Sequence, residues 1–190
     1  MPKQSPPFAP AIQASAWLPG EQAIALDQLR GRVVLLHFFQ MLCPACVSHG
    51  LPQASRVLRM FERADLAVIG VHSVFEHHAV MTPAALRAFV HEYRLEFPVA
   101  IDQSDAADPI PLTMRAYGLQ GTPSLVLLDR EGRVRLNHFG LLDDLALGAA
   151  LGQLIARASP PGTPDRSVAA TPDATGCSQD VCVAPGSNRQ

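Results

Sequence analysis

The stretch that most constrains this 190-residue chain is Val33 to Phe39 (VVLLHFF), which runs within a few residues into Cys43-Pro44-Ala45-Cys46. A continuous apolar run of β-favouring residues suits a strand buried on both faces, which needs helices on either side to cover it. The segment 44–62 then reads as a helix, bent at Pro52 because an interior proline removes a backbone donor. Two cysteines therefore sit where a buried strand gives way to a helix, and residues three apart on a helix share a face. Their sulfurs are expected within bonding distance.

The rest of the chain repeats the alternation. Leu66 to Val74 reads as a second buried strand. Thr82-Pro83 supplies an N-cap and first-turn pair for a helix whose Leu86, Phe89, Val90 and Tyr93 share a face. Phe97 to Ile101 is a short strand. Ser124–Leu128 and Arg133–Phe139 flank the turn Asp129-Arg130-Glu131-Gly132 as a hairpin, and a last helix starts at Asp143-Asp144 with the stripe Leu147, Leu151, Leu154 and Ile155. The expected architecture is a three-layer α/β/α domain over residues 10–158 with a central mixed sheet. Residues 1–9 are read as an extended N-terminus, and the Pro- and Ala-rich start as lying over the surface as far as residue 16. From 159 to 190 the composition turns to Pro, Gly, Ser, Thr and Ala, as in a flexible tail.

Composition narrows the function. Net charge is −2 with 15 basic against 17 acidic residues, which leaves no electrostatic footprint for nucleic acid. No uncharged apolar stretch approaches the roughly 20 residues that span a bilayer, and the proline-broken start lacks the apolar run of a secretory signal. The expectation is a cytoplasmic protein without a membrane or nucleic-acid partner. In a reducing compartment, paired cysteines are more often catalytic or metal-binding than structural.

Cys43 at a helix N-terminus meets free amides and the positive end of the dipole, which favour a thiolate, and the thiolate is the nucleophile. Cys46, one turn inside, is expected to be more buried and to attack the mixed disulfide once it forms. Half a zinc site is the competing reading, and it needs two further ligands at suitable spacing.

The order strand–CPAC–helix, followed by Gly121-Thr122-Pro123 entering the hairpin (GTPSLVLLDREGRV), resembles the thioredoxin-like superfamily, and within it the TlpA-like redoxins that overlap with the AhpC/TSA peroxiredoxins. The resemblance covers about residues 10–158. It implies a thiol–disulfide oxidoreductase with no cofactor beyond its redox-active disulfide. Its partners would be a protein or small-molecule disulfide and a reductant or oxidant. It also implies that Pro123 is cis and packs opposite the cysteine pair, while Thr122 offers backbone hydrogen bonds to the substrate.

Three departures from thioredoxins stand out. His37 occupies the place of their buried carboxylate six residues before the first cysteine, as a proton acceptor for Cys46 or as a strand histidine satisfied by a carbonyl. Leu42 replaces the usual aromatic residue. Pro52 lies six residues after Cys46 instead of five, a spacing closer to some peroxiredoxins. That register makes a thiol peroxidase the alternative function, with Cys46 as the peroxide-reacting sulfur. Cys43 and Phe39 then stand where that signature has threonine and proline.

A second pair, Cys177 and Cys182, lies in the tail. The linker from 159 to 177 has a root-mean-square reach of roughly 20 to 25 Å as a flexible chain. Three readings are open: a tethered dithiol that exchanges with Cys43–Cys46, a thiolate site for a metal or metalloid, or an incidental pair with its own small disulfide. Among the seven histidines, His72, His77 and His78 match no common zinc spacing and are read as lining a polar loop near the sheet's active edge, with His72 or Glu76 as weaker substrate contacts. His49 is a candidate for tuning the thiols, and His91 is placed on the exposed side of its helix. No resident metal site is assigned.

Overall fold

The computed structural model describes residues 6–20 and 22–157. Cys177 and Cys182, and the readings that rest on them, lie outside the described residues. Six strands form one mixed sheet in the order β1-β4-β3-β2-β5-β6. They are β1 (Ala14–Leu18), β2 (Val33–Phe39), β3 (Leu66–His72), β4 (Val99–Asp102), β5 (Ser124–Leu128) and β6 (Val134–Phe139). The strands β2, β3 and β4 run parallel, β1 pairs antiparallel with β4, β5 antiparallel with β2, and β6 antiparallel with β5.

Every residue of β2 is buried, as its unbroken apolar run requires. Its side chains alternate between two cores. Val33, Leu35 and Phe39 face the helices α1 (Leu51–Met60), α2 (Pro83–Glu92) and α4 (Asp144–Ala156). Val34, Leu36 and Phe38 pack on the other face with Trp17, Leu29 and Met114 of α3 (Leu112–Ala116). The sheet is thus covered on both sides, giving the three layers.

Two helix starts follow from their caps. The Thr82 hydroxyl accepts from the Ala85 amide at 3.2 Å, and the Asp143 carboxylate accepts from Leu145 and Ala146 at 2.9 and 3.1 Å. The turn after β5 closes with Gly132 at φ 74°, which suits glycine.

The N-terminal segment corrects the expectation of a surface strap up to residue 16. Ala14–Leu18 is an edge strand pairing with β4, and Phe8 bridges to Arg133 beside the hairpin. The short helix α3 has no counterpart in the expected elements. Buried Asp102 creates it: its carboxylate accepts from the Thr113 and Met114 amides at 2.9 and 3.0 Å, and from the Ser73 hydroxyl at 2.7 Å. The second strand stops at His72, two residues short of the expected end.

Candidate active site

The parallel strands end at one edge of the sheet, where α/β domains place their chemistry. There β2 runs into a short loop, and Cys43 caps the helix that follows. The Val47 amide closes onto the Cys43 carbonyl at 3.1 Å, and the Cys46 amide donates to Cys43 Sγ at 3.3 Å. The first sulfur is therefore an N-cap acceptor at a helix start, with its residue partly exposed. Cys46 is fully buried, and both cysteines are free thiols.

The helix is not regular. Residues Cys46–Gly50 form a π turn in which the Leu51 amide reaches back five residues to the Cys46 carbonyl. Pro52 accounts for it. A proline has no amide to give to the carbonyl four residues earlier, and its ring crowds that carbonyl, so the chain widens by one residue. The bend expected at Pro52 is thus a π turn just before it, and Pro52 itself sits in the first turn of α1.

Opposite the cysteines lies the turn before β5, where the Thr122–Pro123 peptide is cis, as expected. Leu18–Pro19 is also cis. The Cys43 thiol donates to the Thr122 carbonyl at 3.6 Å. Burial pushes the Cys46 thiol up to about 12. A hydrogen bond with Cys43 pushes the same way, the Gln40 backbone and the Thr122 side chain pull back, and the charge of Cys43 adds to the rise. The structure thus brings Cys43, Cys46, Thr122 and Pro123 together, with the Thr122 carbonyl meeting the Cys43 thiol.

His37 is buried on β2 on the α1 side of the sheet, paired in register with Leu125. Neither expected hydrogen bond is seen among the described residues. None joins it to Cys46, and its Nε2 has no partner. Burial lowers its pKa to about 4, so the ring is neutral at physiological pH. His72 falls to the strand reading of Leu66 to Val74 and not to the polar-loop reading. It ends β3, buried against Phe39 at 5.3 Å between ring centroids, and burial lowers its pKa to about 4 as well. His77 and His78 do lie exposed in the following loop, and His91 is exposed on α2. His49 is exposed and bonds Ser48 at 2.7 Å.

Gln40 belongs to no motif that marks it in the sequence. Its side chain is buried and its side-chain nitrogen donates to Glu76 at 3.3 Å, while its backbone carbonyl accepts from the Cys43 amide at 3.2 Å. A buried amide three residues before the first cysteine was the only signal available. No group of three or more His, Cys, Asp or Glu able to hold a metal occurs among the described residues, and no helix there is long and apolar enough to cross a membrane.

A mixed sheet with a cysteine pair at a helix start, facing a cis-proline turn, defines a thioredoxin-like protein. The AhpC/TSA family model matches residues 8–137, and the chain belongs to that family. A thiol-disulfide isomerase structure from Corynebacterium glutamicum shares 45% identity at a TM-score of 0.77, covering 81% of this chain and 99% of that one. Protein DipZ of Mycobacterium tuberculosis is 30% identical over 85% of this chain and 22% of its own length. Thiol-disulfide oxidoreductase ResA of Bacillus anthracis is 28% identical over 58% of this chain and 57% of its own. The chain therefore spans about a fifth of DipZ and just over half of ResA.

Proposed function

We propose that the protein exchanges disulfides through Cys43 and Cys46, acting on a protein or small-molecule disulfide and then on a reductant or oxidant of the same chemistry. The observation that carries this is the asymmetry of the pair. Cys43 is accessible, receives the Cys46 amide and faces the Thr122 carbonyl, whereas Cys46 is sealed beneath it as a neutral thiol.

The order of events follows. The Cys43 thiolate attacks one sulfur of a substrate disulfide and releases the other as a thiolate. While Cys43 is free, its hydrogen bond and charge both hold the Cys46 proton on. Once Cys43 is bound in the mixed disulfide, both influences are removed, and the Thr122 side chain still favours the Cys46 thiolate. Cys46 then attacks Cys43, frees the substrate as a dithiol and leaves the Cys43–Cys46 disulfide. In the mixed disulfide the Thr122 carbonyl is released from Cys43 and becomes an acceptor for the substrate backbone.

The peroxidase alternative asks Cys46 to meet peroxide as a thiolate. Its full burial and raised pKa favour the opposite state. The test is turnover of insulin disulfides with a dithiol reductant. Wild type accelerates it, Cys43→Ser abolishes it, and Cys46→Ser accumulates a mixed disulfide. Full turnover by Cys43→Ser would sink the assignment.

A further inference from the structure

The buried imidazole of His37 has no hydrogen-bonding work at Nε2, yet it stands at the meeting point of the three elements that build the site. A Cβ placed on Gly50 would stand 2.5 Å from His37 Cε1, 2.7 Å from His37 Nε2 and 3.5 Å from Pro123 Cβ. Contacts below about 3.0 Å are not tolerated, so the ring occupies the space that any other residue at position 50 would need. Gly50 closes the π turn that begins at Cys46, and Pro123 belongs to the turn whose Thr122 carbonyl meets the Cys43 thiol. On its own strand the ring lies parallel to that of Phe39, at 6.2 Å between centroids and 8° between planes.

We propose that His37 is a positioning residue, a ring-shaped wedge that sets the spacing between the cysteine helix and the cis-proline turn and so keeps Cys46 sealed. This inference rests on the dithiol reading above and deepens it. The thickness of the imidazole is the spacer, and its ring nitrogens are not the working atoms. Three observations agree with that role. The ring is uncharged at neutral pH because burial depresses its pKa to about 4. No hydrogen bond connects it to the sulfur it would serve as a base. And the residue facing it is a glycine with an ordinary helical φ of −62°, chosen for space and not for backbone freedom.

Without the ring, the helix has nothing to rest on beneath its π turn, and solvent and small reagents gain access to Cys46. A methyl group added at Gly50 should do the same by pushing the helix off the ring. The two changes are therefore coupled, since the methyl is harmful only while the ring is present.

The experiment is iodoacetamide labelling of Cys46 at pH 8, followed by peptide mass spectrometry, in a Cys43→Ser background. His37→Ala and Gly50→Ala are each expected to speed labelling at least tenfold. Gly50→Ala added to His37→Ala should change the rate less than twofold. His37→Phe keeps a flat ring without nitrogens, and should stay within about threefold of the parent. Should His37→Ala fail to fold, His37→Val removes the ring from the strand and runs the same cycle. An equal Gly50→Ala effect with and without the ring would overturn the proposal, as would a His37→Phe protein as reactive as His37→Ala. Insulin turnover by the wild type is read separately. Its absence would remove the dithiol function and leave the labelling cycle to judge the wedge.

Discussion

The seal on Cys46 has a size that can be measured. Its thiol rises from an ordinary 9.0 to about 12, with burial as the main cause. Three pKa steps correspond to on the order of 4 kcal/mol favouring the neutral thiol. At pH 8 a thiol of ordinary pKa is about one-tenth ionised, and one raised by three units is ionised about a thousandfold less. The thiolate is the species that alkylates. Cys43→Ser isolates the second thiol and also deletes the two smaller influences of Cys43. Burial remains, so at least a hundredfold of the thousandfold should survive. Stopped-flow or quenched alkylation of that variant from pH 7 to 11 is the assay. The rate should climb tenfold per pH unit with no plateau below pH 10, and at pH 8 it should lie at least a hundredfold under that of a free cysteine. A plateau below pH 9.5, or a rate within tenfold of free cysteine, would refute the account of Cys46 as a thiol kept neutral by burial.

Thr122→Val removes a side-chain group that favours the Cys46 thiolate while leaving the backbone carbonyl that meets Cys43. Resolution should slow several-fold, seen as a longer-lived mixed disulfide on acid-trapped gels. Asp102→Ala strips the acceptor from three buried donors, at about 1 to 3 kcal/mol for each donor left unpaired. Its urea midpoint should drop sharply in both redox states. His37 and His72 both have pKa values depressed by burial, from 6.5 to about 4. A depressed folded pKa means the unfolded chain takes up the proton first. The stability contributed by each neutral ring is therefore present above pH 6.5 and lost as pH falls toward 4. At pH 5 the loss is about 2 kcal/mol per histidine, and urea melts of wild type and His37→Phe at pH 7 and pH 5 should differ by one histidine's share.

What was legible in the sequence was what local chemistry decides. Val33 to Phe39 could only be a doubly buried strand, Thr82 and Asp143 announced their helices as caps, and Cys43 to Cys46 fell at a helix start because a strand had just ended. What was hidden depends on partners far along the chain. Ala14–Leu18 is a strand because β4 offers it an edge more than 80 residues away. The helix at Leu112 exists because Asp102 caps it from inside the core. His72 could be read either as the end of the second strand or as part of the polar loop that follows, and its pairing with Ile101 and Phe39 holds it within the sheet.

Pro52 shows how one sequence feature can point two ways until the backbone is known. Six residues after Cys46, it suggested either a displaced thioredoxin-type helix or a peroxiredoxin register in which Cys46 meets peroxide. The π turn over Cys46–Gly50 shows where the additional residue goes. A π turn holds one residue more than an α turn, so the extra residue between Cys46 and the proline is absorbed before α1 begins. Cys43 keeps the helix start, the N-cap contacts and the facing cis-proline turn, and Cys46 keeps the buried place one turn inside. The π turn ends at Gly50, which lies against His37. The spacing that made the sequence ambiguous is thus the spacing that places the wedge. A variant that deletes one residue from 47–49 should lose the π turn and the sealing of Cys46 together.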